Sequence, residues 1–206
     1  KQRATHLFLG GSFMNPDIDR GALDADVPAF LHAWPVDAPR NRLGFAEWLV
    51  DPDNPLTARA QVNRTWSRIF GHGLVATADD LGVQGERPSH PELLDWLAVQ
   101  WQGELEWSHK QLLRLLVTSA TYRQAAHTTA EARTVDPGNR LLSHASRLRH
   151  GAEQMRDQAL IASGLLKLDR IGGPSVTPYL PKGMLPQAFD NYIQPVSTGD
   201  DLHRRS

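Results

Sequence analysis

The amino-acid sequence predicts a mainly α fold: an irregular multi-helix domain with extended, Pro/Gly-rich arms at both ends and at most a short N-terminal strand. Three observations predict it. Apolar residues recur at helical spacing through the middle of the chain. Several of these runs open on a residue able to cap the free backbone N–H groups of a first turn. Prolines and glycines crowd the two ends, where they forbid long regular elements.

Taken in order, residues 5–13 form a short apolar run closed by Gly10-Gly11, the candidate strand. Residues 14–40 carry Pro16, Gly21, Pro28, Pro35 and Pro39 and read as a wrapping segment, so an arm over 1–40 precedes a helical domain over 41–206. The spacing predicts a helix over 42–50, with Leu43, Ala46 and Leu49-Val50 on one side. Asp51-Pro52-Asp53-Asn54-Pro55 stops it. Asn54 can cap the next helix, and Pro55 suits a first turn because its missing donor costs nothing there. That helix covers 55–70, with Leu56, Ala60, Trp66, Ile69 and Phe70 roughly on one side, and Gly71-His72-Gly73 ends it.

Two capping boxes follow. Ser89-x-x-Glu92 opens a helix over 90–102 with the stripe Leu93, Leu94, Leu97 and Trp101. Ser108-x-x-Gln111 opens one over 109–121 with Leu112, Leu113, Leu116, Val117 and Ala120. Gly103 between them makes a short-linked pair. Asp136-Pro137 starts a further segment. The longest helix is expected over 144–168, with Leu148, Met155, Ala159, Ala162 and Leu166 buried, although Gly151 inside it costs about 1 kcal/mol relative to Ala. Gly172-Gly173-Pro174 ends regular structure, and 174–200 reads as a second extended arm.

Composition bounds the function. Among 206 residues, 22 are Lys or Arg and 23 are Asp or Glu, so a net charge of -1 leaves no footprint for nucleic acid. Arg147, Arg149 and Arg156 read as one solvated helix face. The absence of cysteine excludes disulfides, thiolate metal sites, a cysteine nucleophile and thioether haem attachment within these residues. A mean hydropathy of -0.42 and only short apolar runs predict no membrane span.

Four constellations are candidates for chemistry. The 71–92 loop concentrates His72, Asp79, Asp80, Glu86 and His90, residue types that bind metals or move protons. Their spacing fits no ligand motif such as H-E-x-x-H, and capping or turn roles account for much of the loop. Arg59, Asn63 and Trp66 share one helix face; with Arg64 they either clamp nearby loops or bind an anion. Thr118, Ser119, Thr121, Tyr122 and Arg123 could line a pocket, but hydroxyls back-bonded to the preceding turn explain them better. Gly172-Gly173-Pro174-Ser175 lacks the phosphate-loop pattern. Of the six tryptophans, Trp66 and Trp101 at least lie on apolar helix lines and read as core.

Taken as a set, the motifs are recognisable. They are Asn54-Pro-Leu-Thr-Ala-Arg59, Val62-Asn-Arg-x-Trp66, Phe70-Gly-x-Gly-Leu-Val, Asp80-Leu-Gly-Val-Gln-Gly-Glu86, Pro88-Ser-His-Pro-Glu-Leu-Leu-Asp-Trp-Leu97, Leu115-Leu-Val-Thr-Ser-Ala-Thr-Tyr-Arg-Gln124, Asp136-Pro-x-Asn-Arg-Leu-Leu142, Arg156-Asp-x-x-Leu160 and Asp201-Leu-x-Arg-Arg-Ser206. The chain resembles the family of domain of unknown function 1553, also called the planctomycete cytochrome C-associated domain. The resemblance implies a module near the C-terminus of a large exported, periplasmic multidomain protein, often beside c-type cytochrome modules. It implies partners among the other domains of that parent chain and a haem held on another module, with no cofactor in this one. It also implies that the family pattern runs on past Ser206, and it carries over no catalytic residue.

Two functional expectations follow. The first is a structural or interaction module. The second is a periplasmic enzyme, an oxidoreductase or hydrolase acting on carbohydrate-derived substrates. Its candidate residues are Arg59, Asn63, Arg64, Asp80, Glu86 and His90, converging on one cleft.

Overall fold

The computed structural model describes residues 4–169, 176–177 and 196–205. It is mainly helical, and the described residues form no strand, only isolated bridges. The chain divides into two compact units, Lys1–Arg147 and Leu148–Ser206.

In the first unit, the candidate strand over 5–13 does not form. Thr5 and Phe8 make single antiparallel bridges to Leu23 and Pro16. Between them and the turn, Leu9–Gly11 winds into one 3-10 turn with Gly10 at φ 59°. The segment opposite donates only from Asp17 N–H to the Leu7 carbonyl and from Leu23 N–H to the Thr5 carbonyl, both at 2.7 Å, so no continuous ladder forms. The arm meets helix α1 (Arg42–Leu49) through a reciprocal pair. Trp48 Nε1 donates to the His32 carbonyl at 2.9 Å, and His32 Nε2 donates to the Trp48 carbonyl at 3.2 Å. Their rings stack with centroids 4.8 Å apart. The buried residues of α1 are therefore Gly44 and Trp48, whereas Leu43 of the expected stripe is exposed.

Asn54 joins α1 to α2 (Thr57–Phe70). Its Oδ1 accepts from the N–H groups of Leu56 and Thr57 at 3.0 and 3.2 Å, and its Nδ2 donates to the Trp48 carbonyl at 3.3 Å. One buried amide thus closes one helix and opens the next. Gly71, left-handed at φ 89°, ends α2 as the sequence predicts.

Helix α2 packs on α3 (Pro91–Gln102) and α4 (His109–Thr118). The core is Ala58, Val62, Trp66 and Phe70 from α2, Leu74 and Val75 from the following loop, Leu94, Leu97, Ala98 and Trp101 from α3, and Leu112 and Leu116 from α4. Four of the six tryptophans are buried, and Trp107 packs against the core edge to face with Trp101. Trp96 is half-exposed.

Of the two expected capping boxes, Ser108 caps α4 by accepting from Gln111 N–H at 3.4 Å. Ser89 makes no cap on α3; its N–H and hydroxyl both donate to the Leu74 carbonyl, at 2.8 and 3.3 Å. Pro91 at the start of α3 has no N–H to satisfy, so the serine is free to close the loop instead. Helix α4 stops at Thr118, short of 121. Thr118 Oγ1 back-bonds to the Arg114 carbonyl at 2.8 Å, Ser119 Oγ to Leu116 at 2.6 Å, and Ser119 turns extended. Helix α5 (Ala130–Val135) is an element the sequence reading missed; Thr129 caps it by accepting from Ala132 N–H at 3.1 Å.

In the second unit, helix α6 spans Ala152–Ala162 rather than 144–168. Gly151 is its N-cap, not an interior residue, and Gln154 accepts from the Gly151 N–H at 3.1 Å. Met155 and Ile161 are exposed, while Arg156, Asp157 and Leu160 are the shielded positions. A 3-10 turn at Gly199–His203 lies next to Lys167, which bridges in parallel to Arg204. The Gly172–Ser175 loop and most of the 174–200 arm lie outside the described residues.

Candidate functional site

Asn63 is the centre of the α2 constellation. Its side chain is fully buried and pairs with the main chain of Val75 on both sides. Oδ1 accepts from Val75 N–H at 2.9 Å, and Nδ2 donates to the Val75 carbonyl at 3.0 Å. An amide is the side chain that can do this, because it carries one acceptor and one donor in a plane. The pair fixes the first residues of the 71–92 loop against the α2 core.

Leu74 and Ser89 draw the loop's ends together, giving a compact loop with a narrow neck. Thr77 is its internal knot. The Thr77 hydroxyl donates to the Asp80 carbonyl at 2.8 Å and accepts from Glu86 N–H at 2.9 Å. Asp80 Oδ1 accepts from Gly82 N–H at 2.9 Å. Glu86 reaches Arg140, whose Nη1 donates to Oε2 at 3.0 Å. His90 Nδ1 lies 3.0 Å from Ser89 Oγ. Leu81 packs on the core from within the loop, and Val83 stands fully exposed at its tip.

The two arginines of α2 diverge. Arg59 donates to Asp95 of α3 and to the Pro55 carbonyl, both at 2.6 Å, so it ties the start of α2 to its neighbour. Arg64 is exposed, 3.6 Å from Asp79. Each candidate residue thus has its own partner within the chain. A cavity of about 10 Å³, room for one water, is lined by Trp66, Phe70, His72, Leu74, Ser89 and Arg140 among others, and by none of the six candidates. Among the described residues no three His, Asp or Glu side chains gather to hold an ion.

Sequence reasoning missed a second polar centre. Arg156 does not lie on a solvated basic face. Its Nη1 donates to the Arg204 carbonyl at 2.9 Å and its Nη2 donates to the Leu202 carbonyl. Lys167 N–H donates to the intervening His203 carbonyl at 2.9 Å. Asp157 stands 3.3 Å from Arg156 and 3.9 Å from Arg205. The Arg156-Asp157 motif and the Asp201–Arg205 motif are therefore one contact. The only sequence signal was their presence in the same motif set.

Two carboxylates, half-buried Asp136 and exposed Asp26, depart from the ordinary range. Backbone N–H donation from Leu141, followed by that from Arg140, holds Asp136 below it, at 2.7 and 2.9 Å. Val27 N–H and then Arg40 do the same for Asp26.

These features define a helical module whose polar side chains are engaged with its own loops. Residues 41–206 match the model of the family described as PSD1, Protein of unknown function (DUF1553), and the chain belongs to that family. No curated protein and no solved structure matches the chain. No helix among the described residues is long and apolar enough to cross a membrane.

Proposed function

We propose that the chain is a structural or interaction module of a large exported, periplasmic multidomain protein, packing against other domains of the same polypeptide and working beside c-type cytochrome modules. The observation that carries the reading is the engagement of Arg59, Asn63, Asp80 and Glu86 with loops and helices of their own unit. Side chains already engaged within the unit leave the 71–92 loop as a shaped surface. Large apolar residues on the N-terminal arm, among them Phe13, Phe30 and Val36, are exposed and suit packing against a neighbouring domain. A c-type haem in the assembly would be attached through cysteines of another module, since these residues contain none.

The enzyme reading requires Arg64, Asp80, Glu86 and His90 to act on one substrate, and their separate partners favour the module. Metal analysis of the purified domain discriminates the two. The module reading expects no stoichiometric iron, zinc or calcium. A stoichiometric metal that is lost in an Asp80→Asn, Glu86→Gln double variant would overturn it.

A further inference from the structure

The second unit is held together differently from the first. Among the described residues, none of the core comes from it, and α6 has no buried residue. Met155, Ile161, Leu165 and Leu168 are all about half-exposed or more, and Arg204 is its one buried side chain among the described residues. Among the described residues, the apolar side chains at this contact, Leu160, Leu166 and Leu202, are only half-buried.

Hydrogen bonds join the two segments directly. Three successive carbonyls, those of Leu202, His203 and Arg204, each accept a donor from the α6–Lys167 side. Two of the three donors belong to one guanidinium. A planar fork can serve two carbonyls two residues apart, whereas an ammonium is a point charge. Asp157, with its side chain 17% exposed, stands between Arg156 and Arg205 and holds the fork in place.

We infer that Arg156 is a latch: it positions the 199–205 segment on α6, and the second unit opens at this point as a local event while the helical core of the first unit stays folded. Such sub-global opening is expected where few apolar contacts are buried and protection rests on a small set of polar bonds. The inference concerns a conformational device and is independent of the proposed function.

The sequence supplies a separate readout for each unit. All six tryptophans lie before residue 148, so fluorescence follows the first unit alone. The Lys167 amide, bonded to His203, reports on the latch. Hydrogen–deuterium exchange on the full chain should show Lys167 exchanging at least tenfold faster in both Arg156→Ala and Arg156→Lys. The amides of Val62, Trp66 and Leu97 and the fluorescence unfolding midpoint should not move. Unchanged Lys167 exchange in Arg156→Ala would overturn the latch. Wild-type protection in Arg156→Lys would overturn the fork as its origin. A parallel loss at Lys167, Val62 and the fluorescence midpoint would overturn the separate opening.

Discussion

Replacing Asn63 by alanine should be among the most damaging single changes in the first unit. The substitution removes one donor and one acceptor at once and leaves the Val75 N–H and carbonyl without partners. Val75 is itself buried, so neither group recovers a bond from bulk water. Leaving a buried polar group unsatisfied costs about 1–3 kcal/mol, which gives about 2–6 kcal/mol for the two. At about 2–4 °C per kcal/mol for a chain of this size, the fall in Tm is on the order of 10 °C. Urea unfolding followed by tryptophan fluorescence measures it directly, since Trp66 sits one turn away and stacks on Phe70 at 4.1 Å. Asn63→Asp provides a sharper control. The new carboxyl keeps the acceptor for Val75 N–H but faces the Val75 carbonyl with an oxygen. Burial raises its folded-state pKa above the unfolded value of about 3.9. Its contribution is therefore fully present below that value and lost as pH rises through the folded pKa. The aspartate variant should approach wild-type stability in acid and fall toward the alanine variant at neutral pH. A cost below about 1 kcal/mol for Asn63→Ala, the range of an ordinary surface change, together with a flat pH response for Asn63→Asp, would refute the loop-clamp argument.

Three further outcomes are expected. Asn54→Ala should cost about 1–2 kcal/mol, the value of an N-cap, and somewhat more because its donor to Trp48 is lost too; circular dichroism melting checks it. Gly85→Ala should destabilise the 77–86 loop by about 1–3 kcal/mol, because a Cβ there would sit 2.1 Å from the Asp80 carbonyl oxygen and force the backbone apart; protease nicking in the loop should accelerate. Asp136 holds the 136–141 turn through a depressed pKa, so its contribution is present above the ordinary carboxylate value and lost as pH falls through the lower folded one. The Leu141 amide shift in an NMR titration should report that loss, and Asp136→Asn should abolish it.

Local chemistry was legible in the sequence where it was sufficient. Asn54 and Ser108 cap as their spacing predicts, and the leucine stripe of α3 enters the core. Of the two readings left open for the Arg59/Asn63 face, Asn63 has the partners of a loop clamp, because a polar residue inside an apolar helix face must find bonds nearby. Distant partners were not legible. Ser89 has the pattern of a cap, yet its hydroxyl serves Leu74, fifteen positions earlier. Leu148, Met155, Ala159 and Ala162 of the apolar line expected for the last helix are exposed, while Arg156 turns toward carbonyls more than forty residues away. No helical period encodes such a contact. The N-terminal run looked like a strand because its composition was right, but a strand also depends on what lies beside it, and the segment opposite meets it only at two isolated bridges.

The burial of Asn63 also has a bearing on how the protein can be made. Asn63-Arg64-Thr65 is an acceptor sequence for N-linked oligosaccharide. In a eukaryotic secretory host the sugar would be added to Nδ2, the nitrogen that donates to Val75, before the helix has packed. A glycan cannot occupy a fully enclosed position, so glycosylation and folding compete for one atom. Bacterial expression avoids that competition; secretion from yeast or mammalian cells should divide the product into an unmodified folded fraction and a glycosylated fraction that is retained.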